Sequence, residues 1–235
     1  MSKQISTEEY CQMVEAKDLQ HKELFPTVQI RENNAPMKSL RDTAFNLIYE
    51  PSIKKDYRYL VREPIFEKIG RISKALDKES KRLIIRSVWR SFDHQRMLWD
   101  DCVDLQRKKH PEMRMDEIHK IVSYFIAPEK ESTHTTGGAV DALIFDMKAN
   151  QVMDFGTNDG LKIDLNKKCY PYHPEISSEA KKNRALLMGL FEKEDFVVDL
   201  KEYWHFDYGN AGWALEKGKD HAMYGIVENE PVIIL

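Results

Sequence analysis

Only three of the 235 residues are cysteines, Cys11, Cys102 and Cys169, and they lie far apart with no CxxC pair. This excludes a disulfide framework or a thiolate metal knuckle, and reduced thiols are the simplest reading. Positive charge is not in excess: Lys+Arg 36 stand against Asp+Glu 39, a net charge of -3. The basic stripe of a nucleic-acid binder is therefore missing, and no nucleic-acid partner is expected. No apolar run approaches the roughly 18 residues of a membrane span. The opening Met1-Ser2-Lys3-Gln4-Ile5-Ser6-Thr7-Glu8-Glu9 lacks the apolar core of a signal peptide. Read literally, it implies a cytoplasmic protein, or a periplasmic one if a leader has been removed. Internal repeats and low-complexity linkers are absent too.

What is present suits a folded core. Hydrophobic residues make up 42% of the chain and charged residues 32%, as in ordinary globular domains. Residues 1–34 are expected to form an N-terminal extension, with a polar helix over 7–22, ahead of one domain spanning 35–235. Ile65, Ile69, Ile72 and Leu76 recur at helical spacing and predict a helix over 63–79. Residues 82–89 and 139–145 read as apolar strands. Leu98, Cys102 and Leu105 suggest the buried stripe of a helix over 93–109, and Ile118, Ile121 and Val122 mark another over 114–126. Ser177-Ser178-Glu179 opens a helix to 194. Strand-like pieces follow at 196–200 and 203–207, and Val232-Ile233-Ile234-Leu235 reads as a last strand. Helices and strands mix without strict alternation. The expected fold is therefore α+β, a single domain with a mostly antiparallel central sheet flanked by helices.

One stretch asks for more than a strand: Ser132-Thr133-His134-Thr135-Thr136-Gly137-Gly138, running into Ala139-Val140-Asp141-Ala142-Leu143-Ile144-Phe145. A carboxylate inside an apolar strand is costly unless it is paired or holds a metal. The two glycines let the chain fold sharply, so that His134 and Asp141 can face one point. Downstream, Glu202-Tyr203-Trp204-His205 supplies a second imidazole and another carboxylate. Two imidazoles and a carboxylate are ordinary zinc donors. Three protein ligands leave a fourth position for water, as in catalytic rather than structural zinc sites. Glu202 is the candidate base. In an extended segment it and His205 would point to opposite sides, so a bend at Tyr203-Trp204 is expected. Arg90, just past the strand at 82–89, is the best placed cation for a developing oxyanion. His94, His110, His119, His173 and His221 have no partner at ligand spacing and read as surface or structural. Asp154, Asp159 and Asp164 do not fit a calcium loop, because Phe155 and Thr157 occupy the wrong places.

Ser132-Thr133-His134-Thr135-Thr136-Gly137-Gly138-Ala139-Val140-Asp141 matches SxHxxGxAxD, and Glu202-Tyr203-Trp204-His205 matches ExWH. Together they resemble the zinc D-alanyl-D-alanine dipeptidases of the vancomycin-resistance type, within the wider D-Ala-D-Ala metallopeptidase superfamily. The resemblance covers roughly residues 35 to 210 and is sharp in these two motifs. It implies that His134, Asp141 and His205 bind one zinc ion at the sheet, that Glu202 is the general acid/base, and that Arg90 stabilises the transition state. Trp89-Arg90-Ser91 stands where the family carries Tyr-Arg-Pro. Ser132 would line the substrate pocket. Asp159, with Asp164 as fallback, would hold the substrate ammonium, in an element that reads Gly156-Thr157-Asn158-Asp159-Gly160 and lacks the family's phenylalanine. The implied partner is a small peptide, D-Ala-D-Ala itself. Alternatives are a D,D- or L,D-carboxypeptidase or endopeptidase acting on muropeptides, or a zinc-fold binding module without catalysis.

Overall fold

Two apolar strands at the centre of the sheet carry the fold. In the computed structural model, which describes residues 5–41, 43–124, 126–157 and 167–228, helix α1 spans Thr7–Leu24 and runs into a 3-10 turn, Phe25–Thr27. Short strands β1 (Gln29–Ile30), β2 (Met37–Ser39), β3 (Leu47–Tyr49) and β4 (Leu60–Arg62) precede α2 (Glu63–Asp77). Then come β5 (Lys81–Ser87), α3 (Phe92–Lys109), α4 (Met115–Val122), a 3-10 turn at Thr133–Thr136, β6 (Ala139–Asp146) and β7 (Gln151–Val152). The described chain ends through α5 (Ser178–Lys193), β8 (Val197–Val198), β9 (His205–Asp207), α6 (Ala211–Glu216) and β10 (His221–Ala222). The expected strand at Val232-Ile233-Ile234-Leu235 lies outside the described residues.

The main sheet runs β3-β5-β6-β9-β8, with β7 folded back on β6. Only β3 and β5 are parallel; the other pairs are antiparallel. The fold is thus a single α+β domain with a mostly antiparallel sheet, as its residue pattern predicts. Strand β6 is buried from Ala139 to Leu143 and through Ile144, which is why its apolar residues run on instead of alternating.

Helix α2 starts directly after β4, with Pro64 in its first turn, where no N–H partner is needed. It presses Ile65, Ile69, Ile72 and Leu76 into the core beside Leu83 and Ile85 of β5; all six are at most 2% exposed. Burial of each such side chain is worth about 1.5–3 kcal/mol. On α5, Leu187, Met188 and Phe191 join the same core, and Phe191 stacks on Phe206 with ring centroids 3.8 Å apart.

The buried face of α3 is not the expected one. Leu105 is 42% exposed, while His94, Gln95, Val103 and Gln106 are buried. At the start of α3 the inward residues His94 and Gln95 line a cavity, so apolar spacing did not mark this side of the helix. The helix predicted over 114–126 ends at Val122, and its Ile118 and Val122 pack on Val103 in a small separate cluster.

Long polar segments between β7 and α5 are held by Arg184, which is 1% exposed. Its guanidinium donates to the carbonyls of Phe155 (2.8 Å), Tyr170 (2.6 Å) and Lys168 (2.7 Å). It also lies 3.9 Å from the centroid of the Tyr203 ring. Replacing Arg184 by Met roughly keeps the volume but removes a charged donor from three carbonyls, of which that of Tyr170 keeps a second donor in the His173 N–H. The expected loss is about 2–3 kcal/mol in urea unfolding, because each buried hydrogen-bonding group deprived of a partner costs about 1–3 kcal/mol.

Candidate metal centre and active site

Strand register assembles the site. Asp141 on β6 is opposite Ser87 on β5 and His205 on β9. His134 is brought to the same point by the 3-10 turn and the glycines after it. Gly137 takes φ +73, a left-handed conformation that side chains disfavour. At Gly138 a Cβ would lie 2.7 Å from the Tyr208 carbonyl and 2.9 Å from Thr136 Oγ1, so no larger residue fits. Glu202 and His205 share one side because the chain turns at Tyr203-Trp204, with the His205 N–H donating to the Glu202 carbonyl at 3.1 Å.

His134, Asp141 and His205 are all buried, and their donor atoms lie within 4.8 Å of one another. Asp141 Oδ1 is 2.9 Å from His205 Nδ1, and Asp141 Oδ2 is 3.1 Å from His134 Nε2. The outer nitrogens of both rings are already engaged. His134 Nδ1 lies 2.7 Å from the Val88 carbonyl, an acceptor that fixes the proton on Nδ1 and leaves the Nε2 lone pair facing inward. His205 Nε2 lies 3.1 Å from Asp207 Oδ1, which leaves Nδ1 facing Asp141. Asn210 Nδ2 in turn donates to Asp207 Oδ1 at 2.6 Å. Two inward lone pairs, one carboxylate and oriented outer nitrogens make a donor set that suits zinc.

Arg90 is the third group on this carboxylate. It donates from Nη2 to Asp141 Oδ2 (2.8 Å), from Nε to Ser87 Oγ (2.7 Å) and from Nη1 to Gln95 Oε1 (3.1 Å). Gln95 is fixed by its own bond to the Ala127 carbonyl at 2.7 Å. Tyr57, whose OH lies 3.3 Å from Ser87 Oγ, has its phenol pushed up to about 12 by burial. Arg90 therefore arrives in a fixed pose.

Burial dominates the proton affinities here. It pushes His134 down to about 4, helped by the Arg90 charge. Burial also opposes charge on His205, but the carboxylates of Asp207 and Asp141 outweigh it and raise this imidazole well above its ordinary value. Asp141 is held well below the carboxylate range, because the two imidazoles overcome the effect of its burial. Glu202 is pushed up to about 8 by burial, and further by the charges of Asp199 and Asp141. A half-buried carboxyl that takes protons near neutrality, beside a metal-type donor set, has the character of a general acid/base.

All these groups line one cavity of about 500 Å³, together with Ser132, Thr133, Trp204 and His94. Asp159 and Asp164 lie outside the described residues. His94 is buried and structural: its ring meets Tyr57 edge-on, Nε2 lies 3.1 Å from Ser52 Oγ, and burial with the Arg90 charge lowers it to about 3. The sequence reading missed Asp207, Ser87 and Gln95. The signal for Asp207 was its place two residues after His205, since alternate residues of a strand share a face.

The fold and the donor set define a class: a one-domain α+β protein with a three-residue metal-type donor set and a further carboxyl in one cavity. The chain belongs to the D-ala-D-ala dipeptidase family, whose model matches residues 16–223. It is 27% identical over 130 residues to the D-alanyl-D-alanine dipeptidase of Escherichia coli K12, an alignment covering 55% of this chain and 56% of that relative. Among solved structures it is similar to a vancomycin-resistance D,D-pentapeptidase in complex with Zn(II) (15% identity, 75% of this chain and 88% of that one, TM-score 0.44). It is also similar to VanYB in complex with D-alanine-D-alanine (15% identity, 80% and 91%, TM-score 0.45). The LdcB LD-carboxypeptidase is a third such structure (17% identity, 80% and 75%, TM-score 0.45).

Two outcomes test this geometry. Glu202 binds its proton more tightly folded than unfolded, so between 4.5 and about 8 its term lowers stability as pH rises. In the metal-free state, Glu202→Gln removes that term, and the stability difference in urea should move in favour of the variant across this window. Asp207→Asn leaves the size of the residue unchanged and keeps an oxygen for His205 Nε2–H, but removes the negative charge that supports this imidazole. Zinc affinity, measured by chelator competition, should fall about 10–100-fold.

Proposed function

We propose that the chain is a zinc-dependent peptidase that hydrolyses the D-alanyl-D-alanine dipeptide. The observation that carries this is the inward convergence of His134 Nε2, His205 Nδ1 and the Asp141 carboxylate beside Glu202, in one cavity. Membership of the D-ala-D-ala dipeptidase family supports the substrate class. His134, Asp141 and His205 would hold the ion, which when bound acidifies a water molecule and polarises the scissile carbonyl.

The residues then have distinct tasks. Glu202, half-buried in the cavity wall and raised in its proton affinity, takes a proton from the attacking water and passes it to the leaving amine nitrogen. Arg90 keeps a fixed positive charge at the site, where negative charge develops on the carbonyl oxygen. Ser132 lines the pocket, and Asp159 holds the substrate ammonium. Among the described residues no helix is long and apolar enough to cross a membrane, and a cytoplasmic enzyme acting on a free dipeptide is the reading we adopt. A second reading is a D,D- or L,D-carboxypeptidase or endopeptidase acting on muropeptides, since the metal-type donor set and Glu202 would serve either substrate.

Metal analysis paired with a hydrolysis assay tests the proposal. The expected result is one zinc per chain and turnover of free D-Ala-D-Ala. Cleavage of a muropeptide pentapeptide with no turnover of the dipeptide would establish the second reading instead. Glu202→Ala should retain zinc and lose on the order of 10²–10⁴ in kcat. Undiminished kcat in that variant would remove Glu202 from the acid/base role.

A further inference from the structure

Helix α1 buries little. Of its 18 residues only Cys11 is fully buried, with Tyr10 and Val14 packed partly against the main core. Polar contacts do most of the docking. Asp18 Oδ2 lies 3.1 Å from Lys201 Nζ, with side chains only 17% and 12% exposed. Glu15 accepts from Tyr124 OH at 3.0 Å and pairs with Lys167. Lys17 and His21 both reach Glu216. Lys201 also donates to the Tyr124 carbonyl at 3.2 Å. Since Lys201 precedes Glu202 in the chain, α1 is tied to the turn that carries the base.

The same end of the helix walls the cavity. Asp18, His21, Lys22, Phe25 and Pro26 line the space that His134, Asp141, Glu202 and His205 line from the other side. A metal triad and a base act on any peptide bond presented to them. Selection of a free dipeptide therefore needs an element that obstructs a longer chain. We infer that the C-terminal part of α1 together with Phe25 is that element, a size-limiting wall held over the cavity by the Asp18–Lys201 pair. The inference rests on the dipeptidase reading above.

The test uses the full-length, zinc-loaded chain and its kcat/KM for D-Ala-D-Ala and for L-Lys-D-Ala-D-Ala. Phe25→Ala removes bulk from the wall, and Asp18→Ala loosens its docking. Each should raise the tripeptide-to-dipeptide ratio about tenfold, the scale on which pocket size discriminates substrates. Phe25→Trp should lower the ratio. Asp18→Ala should also speed tryptic cleavage after Lys17 and Lys22. Faster cleavage with an unmoved ratio, or a ratio unmoved by either change at Phe25, overturns the wall. A failure of the unaltered chain to hydrolyse the dipeptide is a different result, which defeats the dipeptidase reading and the wall with it.

Discussion

The carboxylate of Asp141 is the constraint around which the rest is arranged. It sits in the middle of a buried strand, where an unpaired charge would cost several kcal/mol even after relaxation. Both oxygens are instead engaged, Oδ1 by His205 and Oδ2 by His134 and Arg90. Each partner comes from a different element: the 3-10 turn before β6, the strand β9, and the loop after β5. Removing the carboxylate would leave two imidazoles and a guanidinium crowded together, with Asp207, on the far side of His205, as the carboxylate still in contact with one of these imidazoles. The site is therefore built as one electrostatic unit, not as separate residues that happen to meet.

That unit is held by the sheet. The register places Ser87, Asp141 and His205 side by side across β5, β6 and β9. Ser87 and Gln95 fix the Arg90 fork, the Val88 carbonyl fixes His134, and Asp207 with Asn210 fixes His205. These supports lie on strands, strand ends and a helix start, which are stiffer than free loops. Preorganisation of this kind saves reorganisation when an ion or a substrate arrives. Its consequence is that a register slip of one residue would turn Asp141 to the opposite face and lose the site.

Parts of this were legible in the residues. His134, Asp141 and His205 could be chosen because a buried carboxylate, a double glycine and a distant Glu-x-x-His leave few other readings, and the structure brings them to one point. The bend at Tyr203-Trp204 followed from the need to turn Glu202 and His205 the same way. The sheet and the helices α2 and α5 followed from apolar spacing. The buried side of α3 did not, because its inward residues His94, Gln95 and Gln106 are polar. Periodicity registers apolar contacts, whereas this helix faces hydrogen-bonding groups and a cavity. Nor did spacing reveal that α1 reaches the site, since its ties through Asp18 and Glu15 are pairs far apart in sequence.

The proton affinity of Glu202 connects the acidic surroundings to the chemistry. Without a cation, Asp199 and Asp141 add to burial in raising it, so the carboxyl carries a proton at neutral pH. A divalent charge held by His134, Asp141 and His205 acts in the opposite direction and favours the carboxylate. The surroundings of Glu202 and the ion therefore pull its proton affinity in opposite directions, as a group that must both accept and return a proton requires. A carboxyl in open solvent would start near 4.3, and the ion would drive it lower still, leaving a poor base. The desolvation of Glu202 and the nearby charges of Asp199 and Asp141 thus act against the metal's pull. The cost of that burial is borne by the sheet and the aromatic residues packed around it.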